Sequence, residues 1–400
     1  MMRREVSYNK CWILALIREE KERDMKKMLL WMAVMLPLVV LGQEEGSLRI
    51  VFCGDLMGHG GQIKAAAVEG GRYDYSPCFK FIEGYWKGAD LTVANFELTL
   101  AGPPYRGYPQ FSSPDQVLID AHKAGIGLFT TVNNHCMDSG KKGFLRTLDV
   151  FDSLGIPHLG TYRNEMERLE KHPLLMEKNG IRLAFVTYTY GTNGLPVVEP
   201  LVANLIDTMQ MASDIGEARR QGAEYVIAMV HWGIEYQTKA NKEQETLAKY
   251  LLEKGADIVI GGHPHVVQNA TMDARPENKK EPEIVVYSMG NLVSNQRDVN
   301  TDGGIMIELQ LKKDEKGKIE QDCWYMPYWV YRGEYDGLYQ YYILPSYDAT
   351  KNPEKYQLEA KDLKALTVFD ENTYLRLKGQ LKECSYRKGE GDTINYELSR

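Results

Sequence analysis

The sequence predicts an α/β fold with helices covering both faces of its sheet structure. Two observations carry this. Short apolar runs alternate with segments of helical spacing from about residue 47 onward, and strands that alternate with helices need cover on both faces. Polar residues able to hold a ligand fall where successive apolar runs end, which is where ligands gather in α/β sheets.

Taken in order, "LRIVFCGD", "LTVANFE" and "IGLFTTVNNH" read as the first three strands. In "KKGFLRTLDVFDSLG" the apolar residues Phe144, Leu148, Phe151 and Leu154 recur at helical spacing and Gly155 ends the run. "RLAFVTYTYG" is a strand, and "LIDTMQMASDIGEARRQG" a helix stopped by Gly222. "EYVIAMVHWG" is a strand, and "KEQETLAKYLLEKG" a helix stopped by Gly255. "ADIVIGGHPH" and "EIVVYSMGN" are strands, and "GGIMIELQLKK" reads as a more exposed one. Beyond a charged turn, "DCWYMPYWVYRGEYDGLYQYYILP" is aromatic and β-prone. This places the main domain at 47–345 and a helical appendage at 346–400.

The formal net charge of −7, with no long basic run outside the N-terminus, argues against nucleic acid as the partner. An acidic substrate stays open, because a bound divalent metal reverses the local field. At the N-terminus, "MKKMLLWMAVMLPLVVLG" (residues 25–42) puts two lysines before a short apolar run, with Val40 and Gly42 at a small-residue cleavage site. That is a secretory signal pattern, too short for a comfortable membrane span. It implies export to the periplasm or cell envelope; the competing reading is an uncleaved signal anchor. Residues 1–24, charged and mixed in sign, read as an over-extended start ahead of Met25. Cys53, Cys78, Cys136, Cys323 and Cys384 show no CxxC spacing and no disulfide framework, and read as small core residues.

The strand ends carry the chemistry. The candidates are Asp55; Asn95 and Glu97; Asn133, Asn134 and His135; His231; and His263 with His265. Singly, each has a plain explanation: a cap for Asp55, a side-chain turn for "NNH", a hydrogen-bonded core histidine for His231. Together, in strand-end register, they describe one rim of oxygen donors and imidazoles. That mixture suits Mn, Fe or Zn rather than Ca. A carboxylate able to bridge suggests two divalent metal ions, which can activate a water and clamp a hydrolytic transition state. His263 and His265 are expected to face different metals, with His59 as an accessory candidate.

The motifs "GDLMGHG", "VANFELTL", "NNHCMDSGKKGFLRTLDVFDSLGIPHLGT", "VHWGIEY", "GGHPHVVQ" and "YSMGNLVSNQ", in that order, resemble the CapA family of poly-γ-glutamate capsule biosynthesis proteins. That family resembles the calcineurin-like metallophosphoesterases. The resemblance implies a four-layer, metallophosphatase-like sandwich of two packed sheets flanked by helices. It implies metal ligands at Asp55, Glu97 (bridging), Asn134, His231, His263 and His265, with His135 as the acid/base. Asn95, Asn133 and Asn291 are accessory candidates. Two departures stand out: no His two residues after Asp55, and Asn-Phe-Glu where phosphoesterases carry Gly-Asp.

The resulting expectation is an exported metal-dependent hydrolase or transferase in synthesis or export of poly-γ-glutamate or a related anionic envelope polymer. Metal-activated water would attack a phosphoryl or acyl centre, in company with a membrane-bound polymer complex. Arg106 and Arg297 are candidate anion contacts. The alternatives are a broad periplasmic metallophosphoesterase and a non-catalytic envelope assembly factor.

Overall fold

The computed structural model describes residues 46–273, 283–388 and 394–398. The two N-terminal segments, 1–24 and 25–42, lie outside the described residues, as does the Cys384 side chain.

The chain from Gly46 onward forms one compact unit. Its elements run β1 (Ser47–Met57), α1 (Gly60–Ala66), β2 (Leu91–Glu97), α2 (Gln116–Lys123), β3 (Leu128–Thr130), α3 (Gly140–Leu154), β4 (His158–Leu159) and α4 (Glu165–Lys171). There follow β5 (Leu174–Lys178), β6 (Ile181–Thr189), α5 (Thr208–Arg220), β7 (Tyr225–His231), α6 (Lys242–Lys254) and β8 (Ile258–Gly262). The last third adds β9 (Ala270–Asp273), β10 (Glu283–Val286), β11 (Asn291–Val293), β12 (Gly303–Lys313), β13 (Ile319–Tyr335) and β14 (Leu338–Pro345). It ends in α7 (Ser346–Lys351), α8 (Ala360–Leu377), β15 (Lys382–Lys388) and β16 (Ile394–Leu398).

Two sheets result. The first has ten strands in the order β16-β15-β13-β12-β1-β2-β3-β4, with β14 on β13 and β11 on β1. The second has six, in the order β9-β10-β8-β7-β6-β5. The strands that carry candidate site residues, β1 to β3 in one sheet and β7 and β8 in the other, run parallel to their neighbours there.

The two-residue period of a strand decides which core each side chain enters. On β1, Leu48, Ile50 and Phe52 meet Leu183, Phe185, Ile227 and Ile260 of the second sheet in a shared dry core. Val51 and Cys53, one residue out of phase, pack on the other face against Val117 and Leu118 of α2 and Phe151 of α3. In the second sheet Val226, Ala228 and Val230 turn outward against Met211 and Ile215 of α5 and Leu251 of α6. Helix, sheet, sheet, helix is the four-layer arrangement anticipated above. Helices α3 and α6 close at Gly155 and Gly255, both left-handed, as the sequence suggested.

Two regions differ from expectation. "GGIMIELQLKK", expected to be more exposed, is β12, paired on both sides by β1 and β13 and buried along most of its length. Its one acidic residue, Glu308, is buried because Arg49 of β1 pairs with it at 2.8 Å. The segment expected as a helical appendage starts with α7 and α8, whose Ala349, Leu366, Phe369 and Leu377 join the core between the sheets. It then supplies β15 and β16. Cys53, Cys78, Cys136 and Cys323 are buried and unbridged. Among the described residues no helix is long and apolar enough to cross a membrane.

Candidate metal centre

The first ligand position depends on an irregularity in β1. Its pairing with β2 runs from Ile50–Leu91 to Cys53–Ala94 and then skips to Asp55–Asn95, so Gly54 is an extra residue. Bulges of this kind re-aim a side chain beside a site. A Cβ on Gly54 would lie 2.0 Å from the Gly290 carbonyl oxygen, so only glycine fits. The Asp55 N–H donates to that carbonyl at 3.0 Å. On β2, Asn95 and Glu97 are two residues apart, hence on one face, and both are buried. The Asn95 amide donates to Asp55 Oδ1 at 2.8 Å and joins the first two positions.

The second sheet delivers the histidines. His231 is the last residue of β7, paired with Gly262 at the end of β8. The chain then turns through His263 (φ 96°) and His265 (φ 57°). Left-handed backbone at two non-glycine residues so close together is costly and is found where surroundings over-determine it, commonly at functional sites. Here Asp55 supplies part of that constraint. Its Oδ2 accepts from the His263 N–H at 3.2 Å, and its Oδ1 would be 2.8 Å from any Cβ on Gly262. The carboxylate of one sheet thus seats the histidine turn of the other.

Two groups of ligand atoms emerge. Asp55, Glu97 and His231 form one, and Glu97, His263 and His265 the other, with the atoms of each group within 4.8 Å of one another. Glu97 is common to both. His263 and His265 were expected to face different metals; the geometry instead curls both rings toward Glu97, because both turn residues are left-handed. Glu97 Oε1 lies 3.6 Å from His231 Nε2 and 3.7 Å from His265 Nε2. That oxygen and His263 Nδ1 are buried without a hydrogen-bond partner. Buried polar atoms are rarely left so, and a carboxylate oxygen orphaned among imidazole nitrogens fits a divalent cation. The Asn134 side-chain oxygen reaches the same place, 2.8 Å from His231 Nε2.

Electrostatics agrees with this fit. Burial, then the neighbouring Asp55 charge, holds the Glu97 carboxyl well above its ordinary range. Burial and the adjoining His263 hold His231 neutral far below its usual range. His263 is pushed down to about 3 by burial and by His265. Burial opposes ionisation of Asp55 too, but the His265 hydrogen bond and the His231 and His265 charges outweigh it and keep this carboxyl well below its normal range. Crowded carboxylates and neutral imidazoles are what a dication stabilises.

The remaining candidates sort by what they touch. His135 is buried, and its Nδ1 is 2.8 Å from Asp138 Oδ2, which also accepts from the Phe111 N–H at 2.7 Å. The Phe111 ring covers His135 at 4.6 Å between centroids. Asn133 braces the turn, donating to the Phe96 carbonyl at 2.9 Å and accepting from the His135 N–H at 3.1 Å. Asn291 Oδ1 meets His265 Nδ1 at 3.1 Å and orients that ring, leaving Nε2 toward Glu97. His59 is not in either ligand group; its Nδ1 accepts from the Asn295 N–H at 3.3 Å and its ring packs on Phe111 at 5.2 Å. Arg297 is turned inward, with Nη1 on the Val330 carbonyl at 2.7 Å and Nη2 on the Ser294 carbonyl at 2.9 Å. Arg106 is exposed and held on Ser139 Oγ at 3.2 Å. Sequence reasoning passed over Asp138, although it stands one helical step (i, i+3) after His135 in "NNHCMD". It also passed over Tyr190, whose ring lies 4.5 Å from that of His263 and whose segment carries no recognisable spacing.

Residues 49–296, more than half of the chain, match the family model of the bacterial capsule synthesis protein PGA_cap. The chain is 25% identical over 340 residues to the capsule biosynthesis protein CapA of Bacillus anthracis, covering 78% of each protein. It is 24% identical over 347 residues to the PGA biosynthesis protein CapA of Bacillus subtilis (strain 168), covering 80% of this chain and 85% of that one. Among solved structures, the Thermus thermophilus sulfate thiohydrolase SoxB in complex with glycerol aligns over 71% of this chain and 42% of its own, at 14% identity and a TM-score of 0.35. The matched span runs from β1 past Asn291 and so takes in all the strand-end residues described above, and the chain belongs to the bacterial capsule synthesis protein family PGA_cap.

Proposed function

We propose that the protein is exported and acts in synthesis or export of a poly-γ-glutamate capsule or a related anionic envelope polymer, through a dinuclear metal site. The observation that carries this is Glu97, a buried carboxylate common to two groups of ligand atoms in a chain of a capsule synthesis family. The signal pattern at 25–42 supports location at the envelope, where such a polymer is assembled.

Asp55, Glu97, Asn134, His231, His263 and His265 would hold two divalent ions, of Mn, Fe or Zn type from the mixed oxygen and imidazole donors. Bound there, such ions supply Lewis acidity and a more acidic water. The chain supplies the rest. Asp138 holds a proton on His135 Nδ1, which leaves His135 Nε2 to exchange a proton with a leaving group at a phosphoryl or acyl centre. Phe111 closes that side against water. The His135–Asp138 pair favours chemistry over a purely passive platform. Arg297, bonded to backbone carbonyls, is not presented as a phosphate clamp, which weighs against an ordinary phosphoesterase.

The test is paired. In a capsule-forming bacterium lacking its own counterpart, wild-type protein should restore cell-bound polymer and Glu97→Ala should not. Elemental analysis should find metal in the first and none in the second. Restoration by the metal-free variant would leave only the assembly-factor reading. Turnover of simple phosphate esters with Mn²⁺, without polymer restoration, would favour the broad phosphoesterase.

A further inference from the structure

The mouth over the metal-ligand groups has a character that the ligands do not require. Tyr190 stands over His263 at 4.5 Å and Tyr236 beside His265 at 6.3 Å between ring centroids, and the two rings are 45% and 50% exposed. Large aromatic rings left in water beside a buried polar centre are a cost unless something covers them. Glu235 hydrogen-bonds the Tyr236 hydroxyl, and its charge reaches both Tyr190 and Glu97. It therefore lies between the two rings, above the shared carboxylate. Tyr108, 73% exposed, and Asp298 also act on Tyr236 and complete this side of the opening.

The loop that carries Glu235 is built to hold it there. Gly233 (φ 89°) and Tyr236 (φ 66°) are left-handed, and the Tyr236 N–H donates to the Pro264 carbonyl at 2.8 Å, inside the histidine turn. A tyrosine in that conformation is strained, yet it is fixed to the same turn that aims His263 and His265. The basic groups stand elsewhere. Arg297 is turned in, and Arg332 is bonded to Asn295 at 3.0 Å, the residue whose N–H meets His59. This side of the mouth is thus anionic and aromatic, although the polymer proposed above is itself anionic. A carboxylate between tyrosine faces repels a carboxylate or phosphate and attracts an ammonium, by charge and by cation–π attraction.

We infer that Glu235, Tyr190 and Tyr236 form a subsite for a protonated primary amine, so that the site takes its substrate by an amine-bearing end or accepts an amine beside the metal centre. This deepens the function proposed above and rests on it for the identity of the polymer, though not for the amine.

The test uses the metal-loaded protein and two pairs of probes, read by calorimetric titration. One pair is a short γ-linked glutamate oligomer with its amine free or acetylated. The other is a glucosamine oligomer, free or N-acetylated. Wild type should bind the free amine of a pair about tenfold or more tightly than its acetylated partner. Glu235→Gln, isosteric and still able to meet Tyr236, should erase that preference with metal content unchanged. Tyr190→Ala should weaken the free amine more than the acetylated probe. Equal binding of free and acetylated probes to wild type, or a preference that survives Glu235→Gln, overturns the subsite. Equal binding of both γ-glutamyl probes leaves the polymer reading standing and removes the subsite. A Glu235-dependent preference among glucosamine oligomers, with no binding of either γ-glutamyl oligomer, establishes the subsite and removes poly-γ-glutamate as the polymer.

Discussion

At the scale of the residue, Glu97 concentrates the argument. It is fully buried, shared by two ligand groups, and held protonated by burial and Asp55 when no cation is present. A cation must therefore displace its proton, which makes metal uptake weaker at low pH and stronger as pH rises. Titrations of Mn²⁺ or Zn²⁺ in buffers of different ionisation enthalpy should show net proton release, and Glu97→Gln should lose both the release and most of the affinity. Asp138 acts one step back, through His135. Asp138→Asn should leave metal content unchanged and lower polymer output about a hundredfold, the scale of a lost acid/base contribution. It should also alter the pH profile of that output, which a purely structural role would not.

At the scale of the element, the centre depends on how strands end. The bulge at Gly54 sets Asp55 opposite Asn95, and the Gly290 carbonyl occupies the space a side chain would need. Gly54→Ala should cost about 1–3 kcal/mol of stability and reduce metal affinity together with it, measured by denaturant unfolding and elemental analysis. The ligating residue types were legible in the sequence because glycine and a polar residue follow apolar runs at β1 and β8, and His231 ends the run of β7. What each does locally was not legible. That His263 and His265 turn to the same carboxylate follows from two left-handed residues around Pro264, and helical or strand periodicity does not encode a turn of that kind. The burial of β12 was likewise hidden, because Glu308 looks solvated until Arg49 of the neighbouring strand is placed beside it.

At the scale of the whole molecule, two sheets share one core and a second polar network ties the outer layer down. Arg168 of α4 pairs with Asp214 of α5 at 2.6 Å, and Tyr188 donates to the same carboxylate at 2.8 Å. Both charged side chains are buried. Asp214→Ala strands the guanidinium and should cost about 3–5 kcal/mol, read in the denaturant midpoint, with ligand positions 55, 97 and 231 unaltered. Acid should act on the whole fold as well. Burial lowers His59 to about 4 and lowers His158 and His172 also. Each is neutral in the folded chain, whereas unfolded histidine takes a proton near pH 6.5. The unfolded state therefore binds more protons below that pH, so this stability is present above about 6.5 and is lost as pH falls through about 4. The melting temperature of metal-free protein should drop over that window, and His59→Gln should make the drop shallower.

The sequence by itself determined the alternation of strands and helices, the helix stops at Gly155 and Gly255, the apolar runs, and the residue types gathered at strand ends, because these follow from local periodicity and conformational preference. Only the tertiary structure decided which of them meet. Asp55 and Glu97 come from one sheet, His231, His263 and His265 from the other, and the common core of Ile50, Phe52, Ile227 and Ile260 sets the two sheet ends in contact. The same packing puts Asp138 behind His135 and Glu235 between two tyrosines. No local pattern specifies those neighbours, because they depend on burial and charge across strands more than a hundred residues apart.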